Sequence, residues 1–280
     1  PHGGGVPLLL AFGMGLALTG GWQAPYLLLA GAAGLLMLVG VVDDLFGLSV
    51  RLRFAVYGLC SVVVAELLLQ PGTAAVGWLL TGFWVLVLLW SMNLYNFMDG
   101  IDGIAAIQCV VACGSAALLV LYRGGTPAYA MFCLLLAAAH MGFLLWNWPP
   151  ARLFMGDGGS VPTGFLLAGL ALLGTVQNQL SPLCWLILLA PFVVDATATL
   201  LWRMATGQPF ARPHRLHAYQ RLSRYWDSHL AVDMLLLALN GLWLTPLAWA
   251  VEIWPKYGFL VVILAYLPLL AGMAKIRKLG

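Results

Sequence analysis

The sequence predicts an all-α protein, a polytopic bundle of about ten membrane-spanning helices. Composition is the first reason. Of the 280 residues, 62% are hydrophobic and only 8% are charged, whereas a soluble domain carries roughly 25% charged residues. No single soluble core buries that much apolar surface, and the mean hydropathy is +0.95. Spacing is the second reason: uncharged apolar stretches recur at close to the ~20 residues that a helix needs to cross hydrocarbon.

In order, the spans are expected near 6–20, 25–42, 54–70, 75–93, 104–122, 127–146, 160–178, 182–202, 229–249 and 256–274. The first is short and glycine-rich. The turns on one side are terse (TGGWQAP, QPGTAAVG, RGGTP, QNQLSP), whereas the loops 43–53, 93–103, 147–160 and 203–228 carry the charge. Eleven of the thirteen lysines and arginines lie with those longer loops; Arg123 and Lys256 lie opposite. That asymmetry places the longer loops in the cytoplasm, and an even number of spans returns both ends there. Residues 1–280 read as one transmembrane domain. All five cysteines fall in apolar stretches with no CxxC pair, as packing residues do.

The functional signal lies in aspartates: Asp43 and Asp44 in VVDDLFG, Asp99 and Asp102 in NLYNFMDGIDG, and Asp157 in FMGDGGS. Carboxylates are costly at a bilayer boundary. All five fall on the cytoplasmic side, although that side is assigned from basic residues alone. Gathered there, they form a set of oxygen ligands suited to a hard divalent cation. Adjacent Asp43 and Asp44 repel each other unless a cation relieves them, and they oppose the dipole at the end of their helix.

Asn93, Asn96 and Asp99 recur at i, i+3 and i+6, on roughly one side of a helical end, and asparagine has the donor and acceptor that a nucleobase or sugar edge requires. Gly100 and Gly103 bring backbone close to whatever Asp99 and Asp102 contact. In NWPPARLFMGDGGS the proline pair forces a non-helical approach, Ser160 is placed to cap the next helix, and Phe154 is placed to stack on a flat ring. The segment 203–227 holds five arginines and the run His214-Arg215-Leu216-His217, suited to a phosphorylated substrate; contact with anionic lipid headgroups is the alternative. Asp195 and Asp233 read as helix contacts or partners of that loop's arginines. His140 reads as a hydrogen-bonded core histidine, and Glu66 as facing water near the outer end of its span.

VVDDLFGL, NLYNFMDGIDGIA, NWPPARLFMGDGGS and the HRLH segment resemble, in order, the motifs of the polyprenyl-phosphate N-acetylhexosamine-1-phosphate transferases. PHGGG looks like the tail of that family's Pro-x-x-Gly-Gly loop. The family has a further span and basic residues ahead of that loop, so part of the site is expected to lie outside this sequence. The resemblance implies transfer of a sugar phosphate from a UDP-N-acetylhexosamine to undecaprenyl phosphate in a bacterial inner membrane, with Mg²⁺, or Mn²⁺ in its place, and release of UMP.

By matching position, the resemblance makes Asp43 and Asp44 the catalytic pair and Asp157, with Asp44, the metal ligands. Asn96, Asp99, Asp102, Asn147 and Phe154 fall on the nucleotide side, Asn147 and Phe154 at the uracil, and Asn93 joins the substrate-binding set by its helical spacing with Asn96. His214, Arg215 and His217 would hold the diphosphate or sugar. The HRLH segment lacks the consecutive histidines of the cell-wall phospho-muramoyl-pentapeptide transferase and is closer to the O-antigen-initiating branch. A homodimer is allowed and no nucleic acid is expected. Asp43 acts either as a general base or as a covalent nucleophile; a phosphate monoester, with a second pKa of about 6, needs little deprotonation, which favours direct attack with Asp43 orienting the acceptor. A lipid-linked sugar flippase is the competing class, but transporters keep polar sites near the midplane of repeated halves.

Overall fold

The computed structural model describes residues 3–20, 23–208 and 215–279. Its helices are α1 (Gly5–Leu18), α2 (Ala24–Phe46), α3 (Val50–Leu69), α4 (Ala75–Met98), α5 (Ile104–Tyr122), α6 (Pro127–Asn147), α7 (Asp157–Val176), α8 (Pro182–Leu188), α9 (Ala190–Ala205), α10 (Ala218–Trp226), α11 (His229–Ala238), α12 (Thr245–Ile253) and α13 (Gly258–Ile276). A π-helical stretch, Leu239–Leu244, joins α11 to α12 as one span. The chain is a multi-pass, all-helical membrane protein. Among the described residues eight spans are long and apolar enough to cross a bilayer, and a ninth forms if α8 and α9 are taken together.

The expected spans are all helical, with two corrections to the count of ten. The first, α1, has 14 residues and is shorter than a crossing requires. The span expected at 182–202 is broken: α8 and α9 meet at 79°. Pro191 stands in the first turn of α9, where its missing N–H and its ring interrupt the helical ladder. A freed carbonyl inside a membrane needs a partner, and the Gln108 side chain of α5 supplies one by donating to the Leu188 carbonyl at 2.7 Å. The same side chain accepts from Asn240 in the π-helical stretch at 3.1 Å. One buried amide thus ties α5, the break and the irregular turn together.

The centre of the bundle is α7. In its most apolar stretch 89% of residues are buried inside the protein, against 11% in the last span. Its N-terminus therefore lies among the ends of the helices around it. Gly40 lets α2 come close: a Cβ there would stand 2.5 Å from the Asp157 backbone. His140 bears out its core reading, with Nδ1 2.9 Å from the Leu136 carbonyl and Nε2 3.1 Å from the Thr163 hydroxyl. At the opposite end of the bundle Arg123 pairs with buried Glu252, which also accepts from Ser181 N at 2.6 Å. That pair links the turns after α5 and α7 to the end of α12.

Gly40→Val is expected to separate α2 from α7 and to lower stability by about 1–3 kcal/mol, the usual cost of overpacking. Gly31→Ala, on the same helix with nothing within 4 Å of the added carbon, is the control and should leave the melting temperature in detergent unchanged. Equal midpoints for the two variants would contradict the close approach.

Candidate active site

Three helix ends meet at one end of the bundle. The last turns of α2 carry Asp43 and Asp44, the end of α4 carries Asn93 and Asn96, and α7 begins at Asp157. Helix α2 runs on to Phe46, so the acid pair is helical rather than in a loop. Asp44 reaches the start of α7, accepting from Asp157 N at 3.3 Å and Gly158 N at 3.4 Å. A carboxylate at a helix N-terminus answers unsatisfied N–H groups and the positive end of the dipole. Gly156 makes this fit possible: its φ is +70° and a Cβ would lie 2.6 Å from Asp44 Oδ2.

Ser160 does not cap α7. It lies inside the helix, its hydroxyl 2.8 Å from Asn96 Oδ1 and 3.0 Å from the Gly156 carbonyl. The helix starts three residues earlier than expected because Asp44, on another helix, does the capping. No local sequence pattern reports that.

Asp43 accepts from Leu48 N at 2.7 Å and pairs with Arg53. Arg53 also reaches Asp157 Oδ2 at 3.2 Å, so one guanidinium bridges the acids of α2 and α7. The sequence had marked Arg53 only as a topological charge. Its place in the first turn of the helix after the Asp43-Asp44 turn was the available signal. Asp99 lies in the same electrostatic field. Removal from water, then the charges of Asp157 and Asp44, hold its carboxyl well above the usual carboxylate range.

Other expected site residues brace the loops. Asn147 is buried and uses both ends of its amide: Oδ1 accepts from Gly103 N and Nδ2 donates to the Leu153 carbonyl, each at 2.9 Å. Asp102 accepts from Ala151 N at 3.0 Å and faces His229 Nδ1 at 3.3 Å. These contacts clamp the Gly103 turn to the loop that follows α6. Gly4 N and Gly5 N donate to the carbonyls of Phe154 and Met155 at 2.9 and 3.0 Å, and the Phe154 ring remains 38% exposed. Asn93 donates to the Leu89 carbonyl of its own helix at 2.7 Å.

The basic loop departs most from expectation. His214 lies outside the described residues. Arg215 is exposed, and its carbonyl accepts from Arg224 at 2.9 Å. His217 is buried, 3.2 Å from Asp195, with its ring stacked near Phe97 and Tyr219. Asp195 accepts from Ala218 N and Tyr219 N at 2.9 and 3.0 Å. His217 here seats the start of α10 rather than lying open to a substrate. Asp195 is a helix contact, as expected, but among the described residues its partners are this histidine, the Thr199 hydroxyl and backbone amides rather than arginines. Among the described residues both oxygens of Asp233 are buried without a hydrogen-bond partner, and Oδ2 would be 2.6 Å from a Cβ on Gly103.

The donors at the centre are hard oxygens: Asp43, Asp44, Asp99 and Asp157. Among the described residues no three His, Cys, Asp or Glu side chains form a ready metal cage. The set still fits Mg²⁺, which commonly takes one or two carboxylates and completes its shell with water and substrate phosphates.

Asp99→Asn should raise the melting temperature near pH 7 and leave it unchanged at about pH 3, below the unfolded value. A carboxyl whose folded pKa is raised carries no penalty below its unfolded value of about 3.9 and loses stability as pH rises through the folded value. A stability difference independent of pH would count against this. Arg53→Gln removes the counter-charge, so the variant is expected to melt lower than the parent in EDTA. Added Mg²⁺ should raise its midpoint more than that of the parent; an equal Mg²⁺ effect would show that Arg53 does not offset the acids.

Residues 26–175 match the model of glycosyl transferase family 4. The chain is 28% identical to the probable undecaprenyl-phosphate N-acetylglucosaminyl 1-phosphate transferase of Bacillus subtilis, over 75% of this chain and 61% of that protein. It is 29% identical to the undecaprenyl-phosphate alpha-N-acetylglucosaminyl 1-phosphate transferase of Yersinia pestis, over 80% of this chain and 66% of that protein. With the phospho-N-acetylmuramoyl-pentapeptide-transferase of a Synechococcus strain it shares 31% identity over 87% of this chain and 78% of the relative. The matched region thus spans under two thirds of the Bacillus and Yersinia proteins. A family match across more than half the chain, with the acid motifs converging at one end of the bundle, establishes that this chain belongs to glycosyl transferase family 4.

Proposed function

We propose that the protein transfers an N-acetylhexosamine 1-phosphate from a UDP-sugar to undecaprenyl phosphate and releases UMP, at the cytoplasmic face of a bacterial inner membrane. The observation that carries this reading is the contact of Asp44 with the start of α7, which puts Asp43, Asp44 and Asp157 beside one another at one end of the bundle. A prenyl chain stays in hydrocarbon while its phosphate meets a soluble nucleotide sugar, and helix ends at the boundary serve both.

In this reading an oxygen of the lipid phosphate forms a bond to the β-phosphorus of the donor. The bond from that phosphorus to the bridging oxygen breaks, and the electron pair leaves with UMP. Such transfers rest on positioning and charge neutralisation. Asp157 and Asp44 would hold Mg²⁺, which when bound neutralises diphosphate charge. Arg53, between Asp43 and Asp157, is placed to exchange an acid partner for a phosphate oxygen. Asp43, one helical step from Asp44, orients the acceptor. Phe154 presents an exposed ring to the uracil from a loop that Asn147 and Asp102 hold in place. Asn96, with Asp99 behind it, faces the nucleotide side.

Relatives named for N-acetylglucosamine 1-phosphate and for muramoyl-pentapeptide transfer are both present, so the donor is the finer question. The segment Arg215-Leu216-His217 favours a UDP-N-acetylhexosamine donor of the O-antigen-initiating kind. The full chain, supplied with undecaprenyl phosphate, Mg²⁺ and a panel of UDP-N-acetylhexosamines, should release UMP and form the lipid diphosphate sugar, identified by mass spectrometry. Asp157→Ala should abolish turnover while the protein remains folded. Normal UMP release from that variant would overturn the site assignment, and turnover only with the muramoyl-pentapeptide donor would overturn the substrate.

A further inference from the structure

A second feature lies away from the aspartates. Between α9, α10, α11 and α13, with Met98 of α4 and Ile104 of α5 also in the wall, the bundle leaves an apolar recess of about 260 Å³. Phe192, Leu222, Leu236, Leu269 and Met273 contribute to its walls. Gly272 also lines it, and a Cβ built there meets no atom within 4 Å, so space the size of a side chain stands in front of α13. One carboxylate reaches the wall, Asp195, but its oxygens accept from Ala218 N and Tyr219 N.

The rim is basic. Lys275 and Arg277 flank the wall residue Ile276, and Lys278 follows. Arg221 precedes the wall residue Leu222, and its Nη1 lies 3.5 Å from the Arg277 carbonyl, so the two cationic segments run side by side. Arg277 stands 5.2 Å from the Trp202 ring and donates to the Ala198 carbonyl at 3.0 Å. Among the described residues, the ion pairs leave Lys275, Arg277 and Lys278 without a carboxylate. An apolar slot that ends at uncompensated cations is complementary to a hydrocarbon chain bearing an anionic headgroup.

We propose that this recess binds one acyl chain of an anionic phospholipid, whose phosphate is held by Arg221, Lys275, Arg277 and Lys278. The cations belong to α10 and the end of α13, whereas the aspartate cluster is built on α2, α4 and α7. A headgroup on the rim is therefore held by elements other than those that position the reacting groups, which sets this occupant apart from the lipid acceptor. The chain bears on Leu222 and Tyr219, and the Tyr219 hydroxyl donates to the Phe97 carbonyl at 2.8 Å. The bound lipid thus braces α10 against the end of α4, next to Asn96 and Asp99.

The test uses the full chain in detergent, with phosphatidylglycerol, phosphatidylcholine of the same chains, and undecaprenyl phosphate, read by native mass spectrometry and thermal unfolding. One phosphatidylglycerol should be retained and should raise the melting temperature, with phosphatidylcholine retained about tenfold less. Gly272→Phe should fill the recess and lower phosphatidylglycerol occupancy about tenfold. The Lys275→Gln, Lys278→Gln double variant should lose the preference between the two phospholipids. Equal retention of both phospholipids by the parent, unchanged occupancy in Gly272→Phe, or one-for-one displacement by undecaprenyl phosphate would overturn the proposal. If Gly272→Phe does not fold, phosphatidylglycerol with a photoreactive acyl chain decides on the parent protein: label in α10 and α13 supports the site, and label elsewhere refutes it.

Discussion

The arrangement depends on holding carboxylates together at the rim of a membrane. Asp43, Asp44, Asp99 and Asp157 repel one another in a setting that strengthens charge interactions. Three features offset that repulsion. Arg53 bridges Asp43 and Asp157. The amides at the start of α7 receive Asp44. Burial and the neighbouring acids push the Asp99 carboxyl above its usual range, which favours its neutral form. A cation and substrate phosphates alter the same balance, so the features that stabilise the folded site are the ones a reaction must rearrange.

Backbone geometry makes the cluster possible. Gly40 removes the side chain that would otherwise strike the Asp157 backbone, and Gly156 turns the chain beside Asp44. Asn147 and Asp102 fix the loop between α6 and α7 from the side of the Gly103 turn. Small residues and buried amides are a natural solution where hydrophobic burial does not separate one helix arrangement from another, since the surrounding lipid is equally apolar. Gln108 serves a similar purpose at the broken span, where it donates to the Leu188 carbonyl beside the break.

The segment after α9 has a different character from the aspartate loops. Asp195 receives the first amides of α10, His217 is stacked behind them, and Tyr219 ties the segment to the end of α4. Arg215 and Arg224 are exposed, and Arg221 reaches the Arg277 carbonyl at the end of α13. It therefore connects the end of α13 to the end of α4 through one short helix.

Much of the fold was legible in the sequence, because the requirement that a span be apolar and about 20 residues long acts on composition alone. The aspartate breaks were equally legible, since unpaired charge at a bilayer boundary is too costly to be incidental. The tertiary structure decided which groups meet. Asp44 caps a helix 113 residues later in the chain, which displaced Ser160 from the role its local spacing suggested. Arg53 became a bridge, and His217 a buried support, through partners that sequence proximity does not reveal. The 79° break at Pro191 was also hidden, because hydropathy sums over a window and has no direction. Periodicity and composition act along the chain, whereas capping, ion pairing and burial are settled between helices.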